Sequence, residues 1–177
     1  MLAGRKSQMK AWITIFSIVL LTFTLLLFGG MTPRRIYAAS IDDIKIDAAH
    51  FPDAVFRNYV TKNFDQDHDG YLQSRERDAV TEISVGGAEF KDLKGIQYFT
   101  NLKGLYCSGN QLVNLDVSNN TKLEILSCED NHLTNLKTAN SLKALTCDHN
   151  QLTKLSVSGY KKLYYFLNCN NKLDTLR

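Results

Sequence analysis

No enzyme motif is present in this chain of 177 residues. A nucleophile elbow, an HExxH helix and a phosphate-binding loop are all missing. The four histidines, His50, His68, His132 and His149, fall in separate segments. His132 and His149 sit in turns beside Asp130 and Asp148, where solvated turn residues are expected rather than a metal site. Catalysis by the chain itself is therefore not expected. Basic and aromatic residues are not clustered beyond the first forty positions, which argues against nucleic acid as a partner. The basic balance also disappears on inspection. All five charges in residues 1–38 are basic, and the remainder carries sixteen basic against eighteen acidic residues, about −2.

Against these absences stands a repeat. Leu102, Leu105, Cys107, Asn110, Leu112 and Leu115 recur as Leu123, Leu126, Cys128, Asn131, Leu133 and Leu136. They recur again as Leu142, Leu145, Cys147, Asn150, Leu152 and Leu155. A frame that returns after about twenty residues is the signature of a solenoid and resembles the leucine-rich repeat. The expected fold class is α/β: short parallel strands along a concave face, behind a small helical N-terminal cap. Alternation places Leu105 and Cys107 inside, with Gly104, Tyr106 and Ser108 outside. The asparagine stands where the chain leaves the strand. An amide both donates and accepts, so it can satisfy turn backbone in its own unit and in a neighbour.

Val80, Ile83, Val85, Ala88, Phe90 and Leu93 fit the frame upstream, with alanine in the asparagine position. The unit starting at Leu123 is two residues short between Leu136 and Leu142, on the convex side, which is expected to flatten the local curvature. The unit starting at Leu163 looks irregular, with Phe166 and Leu167 adjacent and Cys169 displaced by one position. A bulge or a compensated insertion and deletion is expected there. Cys107, Cys128 and Cys147 share one ladder position. In-register side chains lack the torsion of a disulfide, and thiols in a line lack the tetrahedral arrangement of a zinc site. They are read as small buried hydrophobes.

Arg5, Lys6 and Lys10 precede an apolar run from Ala11 to Phe28, and Ile36-Tyr37-Ala38 follows. This is the plan of a secretory signal peptide, with cleavage expected after Ala38 or, second, Ala39. The run is long for a signal, so a retained anchor is the alternative. The membrane would be met only through that segment if it stays uncleaved. The expected organisation is a signal at 1–38, a cap at 39–79, and repeats at 80–177 in about five units, the last incomplete.

Asp65, Asp67, Asp69, Gly70, Leu72 and Glu76 match the calcium loop of an EF-hand at every diagnostic position. Alternate carboxylates and a terminal bidentate glutamate supply hard oxygens. Tyr71 offers its carbonyl, and Gln73 a contact through water. The expected ligands of Ca2+ are Asp65, Asp67, Asp69, Tyr71 and Glu76. Before the loop, Pro52-Asp53 opens an amphipathic helix with Phe56, Tyr59, Val60 and Phe64 on one face. A lone loop just ahead of a solenoid is expected to hold structure together and not to signal.

Cap, loop and repeats together resemble bacterial surface leucine-rich-repeat proteins of the internalin type, in their cysteine-containing version. Phe51-Pro52-Asp53, Phe56-Arg57-Asn58-Tyr59 and the run Gly95–Leu102 also look like segments of Gram-positive repeat proteins. The resemblance implies an exported, adhesin-like binding module, secreted or on the cell surface. Wall-sorting and C-terminal cap features of the family are not found, so a truncated version of a longer protein is expected. The recognition or spacer part of a longer surface protein or enzyme is the alternative. Its binding face would hold a protein or glycan. The outward strand residues Tyr106, Ser108, Ile125, Ser127, Glu129, Thr146, Asp148 and Tyr165 would form it, with Ala144 among them. Ser108, Glu129 and Asp148 form a mildly acidic column.

Overall fold

A computed structural model describes residues 42–176, with side chains to residue 174. The expected signal segment lies outside the described residues. Among these, no helix is long and apolar enough to cross a membrane.

The chain enters through β1 (Ile44–Lys45) and a helix, α1 (Ala54–Asn63). Asp53 starts this helix by accepting from the backbone N–H groups of Val55 and Phe56. Such a cap contributes about 1 kcal/mol. The helix turns Phe56 and Val60 fully inward, while Tyr59 and Phe64 pack half-buried against the same core. The second carboxylate oxygen of Asp53 accepts from Lys91 and Asp92, so one side chain ties the helix start to the first coil. Gly95, at φ 109°, lets the Phe51 ring lie against the backbone there: a Cβ would come within 2.2 Å of it. The acidic loop follows α1 and contains β2 (Tyr71–Leu72) and a single turn, α2 (Ser74–Arg77).

From Thr81 onward the chain winds into coils of one plan. Strands β3 (Glu82–Ser84), β4 (Gly104–Tyr106), β6 (Ile125–Ser127), β8 (Ala144–Thr146) and β10 (Tyr165–Leu167) stack as one five-stranded parallel sheet. A 3₁₀ turn, Ile96–Tyr98, closes the first coil. Leu105, Leu126 and Leu145 align across that sheet and are buried, as are Cys107, Cys128 and Cys147. Each leucine so buried contributes about 1.5–3 kcal/mol. On the returning arc, β5 (Asn114–Val117) pairs with β7 (Asn135–Thr138), and β9 (Lys154–Leu155) pairs with β11 (Thr175–Leu176).

The asparagines all reach in one direction. Asn131 donates to the carbonyls of Cys107 and Cys128 at 3.0 and 3.1 Å and accepts from Leu112 N–H at 3.0 Å. Asn150 repeats this with Cys128, Cys147 and Leu133. Asn110 does so with Val85, Cys107, Ala88 and Phe90. Each amide therefore satisfies the coil before its own. That explains Ala88: its coil has no earlier coil to serve, and its own turn is satisfied by Asn110.

The last coil corrects the sequence reading. No residue is inserted or slipped. Phe166 pairs with Leu145, and Cys147 N–H donates to Leu167, so Asn168 takes the ladder position where cysteine stood before. Asn171 keeps its place, donating to Cys147 and accepting from Leu152. Backbone register decides position here, so Cys169 turns outward and is exposed.

Candidate calcium loop and binding face

The acidic loop is held by its own backbone. Asp65 accepts from Asp69 and Gly70 N–H at 3.1 Å each. Glu76 accepts from Gln66 and Gln73 N–H at 2.9 Å each, which also forms a capping box for α2. Gly70, at φ 83°, and His68, at φ 57°, make the sharp turn. Tyr71–Leu72 pairs antiparallel with Ile44–Lys45, and Ile46 N–H donates to Gly70. The edge of this loop is thus completed by an N-terminal strand.

Oxygens of Asp65, Asp67 and Glu76 come within 4.8 Å of one another. Asp65 and Glu76 are buried, at 2% and 3% exposure. Buried like charges at this spacing suit a divalent cation with hard oxygen ligands. Asp69 stands apart from the three. Its carboxylate accepts from Tyr71 N–H and from the Gln73 side-chain amide, at 2.8 and 2.7 Å. Gln73 also donates to Asp67 at 3.3 Å. Arg75 pairs with Asp67, a partner the motif spacing gave no sign of.

On the strand face, Tyr106, Ser127 and Thr146 line up across β4, β6 and β8, and Ile125 and Tyr165 flank Ala144. Glu129 is less free than its outward position suggests. It accepts from Ser127 and Thr146 hydroxyls at 2.8 and 2.6 Å, and Ser108 and Ser127 hydroxyls bond at 2.9 Å. Partial burial pushes its carboxyl up. Hydrogen bonds from Thr146, its own backbone, Ser127 and Ser108 outweigh this and hold it below the usual range. Asp148 accepts from Cys169 N–H. Tyr165, 47% exposed, is the most open of the residues expected on this face.

The buried thiols are chemically quiet. Burial, with nearby Asp148 and Glu129, pushes Cys147 up to about 12. Cys107 and Cys128 are raised by the same cause. All four cysteines are free.

No protein-family model and no curated protein sequence matches the chain. Among solved structures, the functional domain of InlJ from Listeria monocytogenes, which includes a cysteine ladder, is similar. The two share 31% identity over 78% of this chain, with a TM-score of 0.67. The chain carries the internalin-type leucine-rich-repeat fold. It spans 30% of the length of that InlJ domain. An internalin C2 of the same species shares the fold at 23% identity, over 80% of each chain, with a TM-score of 0.52. An internalin, InlF, is also similar at 23% identity, covering 75% of this chain and 47% of its own, with a TM-score of 0.47. In internalin terms, Cys107, Cys128 and Cys147 make this chain's cysteine ladder, with Val85 before them and Asn168 after.

Proposed function

We propose that this internalin-type solenoid is an exported recognition module that holds a protein or glycan on its five-stranded face, without catalysis of its own. The carrying observation is the row of outward side chains across that sheet. Tyr165 on the edge strand β10 and Tyr106 on β4 offer aromatic surface, with Ile125, Ser127 and Thr146 on the strands between them. Likeness to the InlJ functional domain supports the same reading. Aromatic side chains on a rigid sheet lose little entropy on binding, which suits them as anchors. Glu129 and Asp148 are poor probes of this face, because their carboxylates already hold neighbouring groups. The cleaner experiment replaces Tyr106 and Tyr165 with serine and measures attachment of the full chain to epithelial cells and to immobilised matrix protein. Attachment should fall about tenfold or more. Undiminished attachment by a folded double variant would remove the face from consideration.

The same proposal gives the acidic loop a structural calcium ion. Asp65, Asp67 and Glu76 would hold it, with Asp69 and the Tyr71 carbonyl as the further ligands expected of the motif. The ion would supply the positive charge that the buried carboxylates call for. Affinity should lie in the weak range of extracellular modules, roughly 10⁻⁴ to 10⁻³ M. Equal thermal midpoints in calcium and in chelator would defeat this part of the proposal.

A further inference from the structure

The two-residue shortage between Leu136 and Leu142 does more than shorten an arc. On the returning side, β7 pairs back to β5 and β9 pairs forward to β11, and no ladder joins β7 to β9. The break opens a cleft of about 670 Å³ between the two small sheets. Its floor is apolar. Leu136 remains half-buried, whereas the equivalent Leu115 and Leu155 are 3% and 6% exposed. Around the floor stand two ammonium groups, Lys137 and Lys154, and the hydroxyls of Ser118, Thr138, Ser156 and Tyr160.

The charges there are only partly spent. Lys137 lies 3.5 Å from Asp116, in a pair where both side chains are more than half exposed. Such a pair contributes little and yields readily to a better acceptor. Lys154 has no acidic partner among the described residues. The Tyr160 and Thr138 hydroxyls bond to each other across the cleft and are the polar link between its walls. Ser141 Oγ, on the short arc itself, is buried without a hydrogen-bond partner.

We propose that this convex cleft is a second binding site, for an acidic saccharide unit: a sugar bearing a carboxylate or a phosphate. The two lysines would take the anionic group, the four hydroxyls would exchange hydrogen bonds with sugar hydroxyls, and Leu136 with Leu155 would carry the less polar face of the ring. Small-molecule sites typically combine an apolar lining with a few polar groups that fix orientation, the mixture found here. The site is independent of the strand face, which lies on the other side of each coil.

The test is a titration of the ¹⁵N-labelled full chain, followed by amide shifts, with four probes: glucuronic acid, glucose 6-phosphate, glucose and inorganic phosphate. The two acidic sugars should move amides of residues 136–138 and 154–156 saturably, with dissociation constants on the order of 10⁻³ M, and leave residues 106, 125 and 146 still. Lys154→Ala should weaken binding about fivefold, and the Lys137→Ala, Lys154→Ala pair more than tenfold. Both lysines are exposed, so folding is not at stake. Preference for glucuronic acid or for the sugar phosphate tells which acid the cleft takes. The proposal is overturned by the absence of saturable shifts, by glucose binding as well as the acids, or by inorganic phosphate matching the sugars. Unchanged binding in the double lysine variant overturns it too.

Discussion

The asparagine ladder and the acidic loop both bury polar groups, and they satisfy them in opposite ways. An amide carries donor and acceptor on one side chain, so Asn131 closes its surroundings with nothing but neighbouring backbone. A carboxylate only accepts. Asp65 and Glu76 use up four backbone N–H groups and still leave negative charge buried beside Asp67. Gln73 and Arg75 offset part of it. The ladder therefore closes its hydrogen bonds without help from the solution, whereas the proposed calcium ion would come to the loop from outside.

The largest effect should come from breaking the ladder at its centre. Asn131→Ala orphans the Leu112 N–H and removes a donor from two buried carbonyls, at about 3 kcal/mol or more. The same change at Asn171, half-buried in the last coil, should cost about 1 kcal/mol; urea denaturation of both variants compares them. Next comes the loop. With calcium at 10 mM and the affinity expected above, stabilisation should be about 1.4–2.7 kcal/mol. Glu76→Gln should abolish the dependence on calcium while Asn131→Ala leaves it intact, a contrast that thermal melts with and without chelator would expose.

A smaller effect should follow pH. Glu129 titrates below its usual range, so its contribution is present above the unfolded pKa and is lost as pH falls through the folded one. Denaturation midpoints should therefore decline in acid below about pH 4.5, and less so in Glu129→Gln. Smallest of all, Cys169→Ser should leave stability within about 0.5 kcal/mol of the parent. Thiol titration of the native chain should find one reactive cysteine, Cys169, and four after unfolding. Rapid native labelling of Cys128 would mean that the coils open far more readily than the ladder implies.

Much of the coil was legible because position and residue type agreed. Leu105, Cys107 and Asn110 announce their places by spacing alone. In the last coil the two signals parted, and residue type misled. Cys169 resembles the ladder cysteines, but the pairing of Tyr165–Leu167 with Ala144–Thr146 gives that place to Asn168. Asn120 was not legible either. It lies outside the repeating frame, yet it is fully buried and donates to the Ile96 and Phe99 carbonyls. The loop showed its carboxylates in sequence, whereas the roles of Gln73 and Arg75 depend on where long side chains come to rest. For the short arc, the missing residues were plain in the spacing. The cleft they open depends on β7 and β9 parting, which spacing does not express.

The one-way reach of the asparagines has a bearing on how the molecule is made. Synthesis delivers the chain from its N-terminus, and each coil emerges before the amide that will serve it. Val85 and Phe90 wait for Asn110, Leu112 waits for Asn131, and Leu133 waits for Asn150. A nascent coil is thus finished by its successor, about twenty residues later in translation. The hydrogen bonding of the solenoid is vectorial: the turn of each of these coils is closed by the amide of the coil after it.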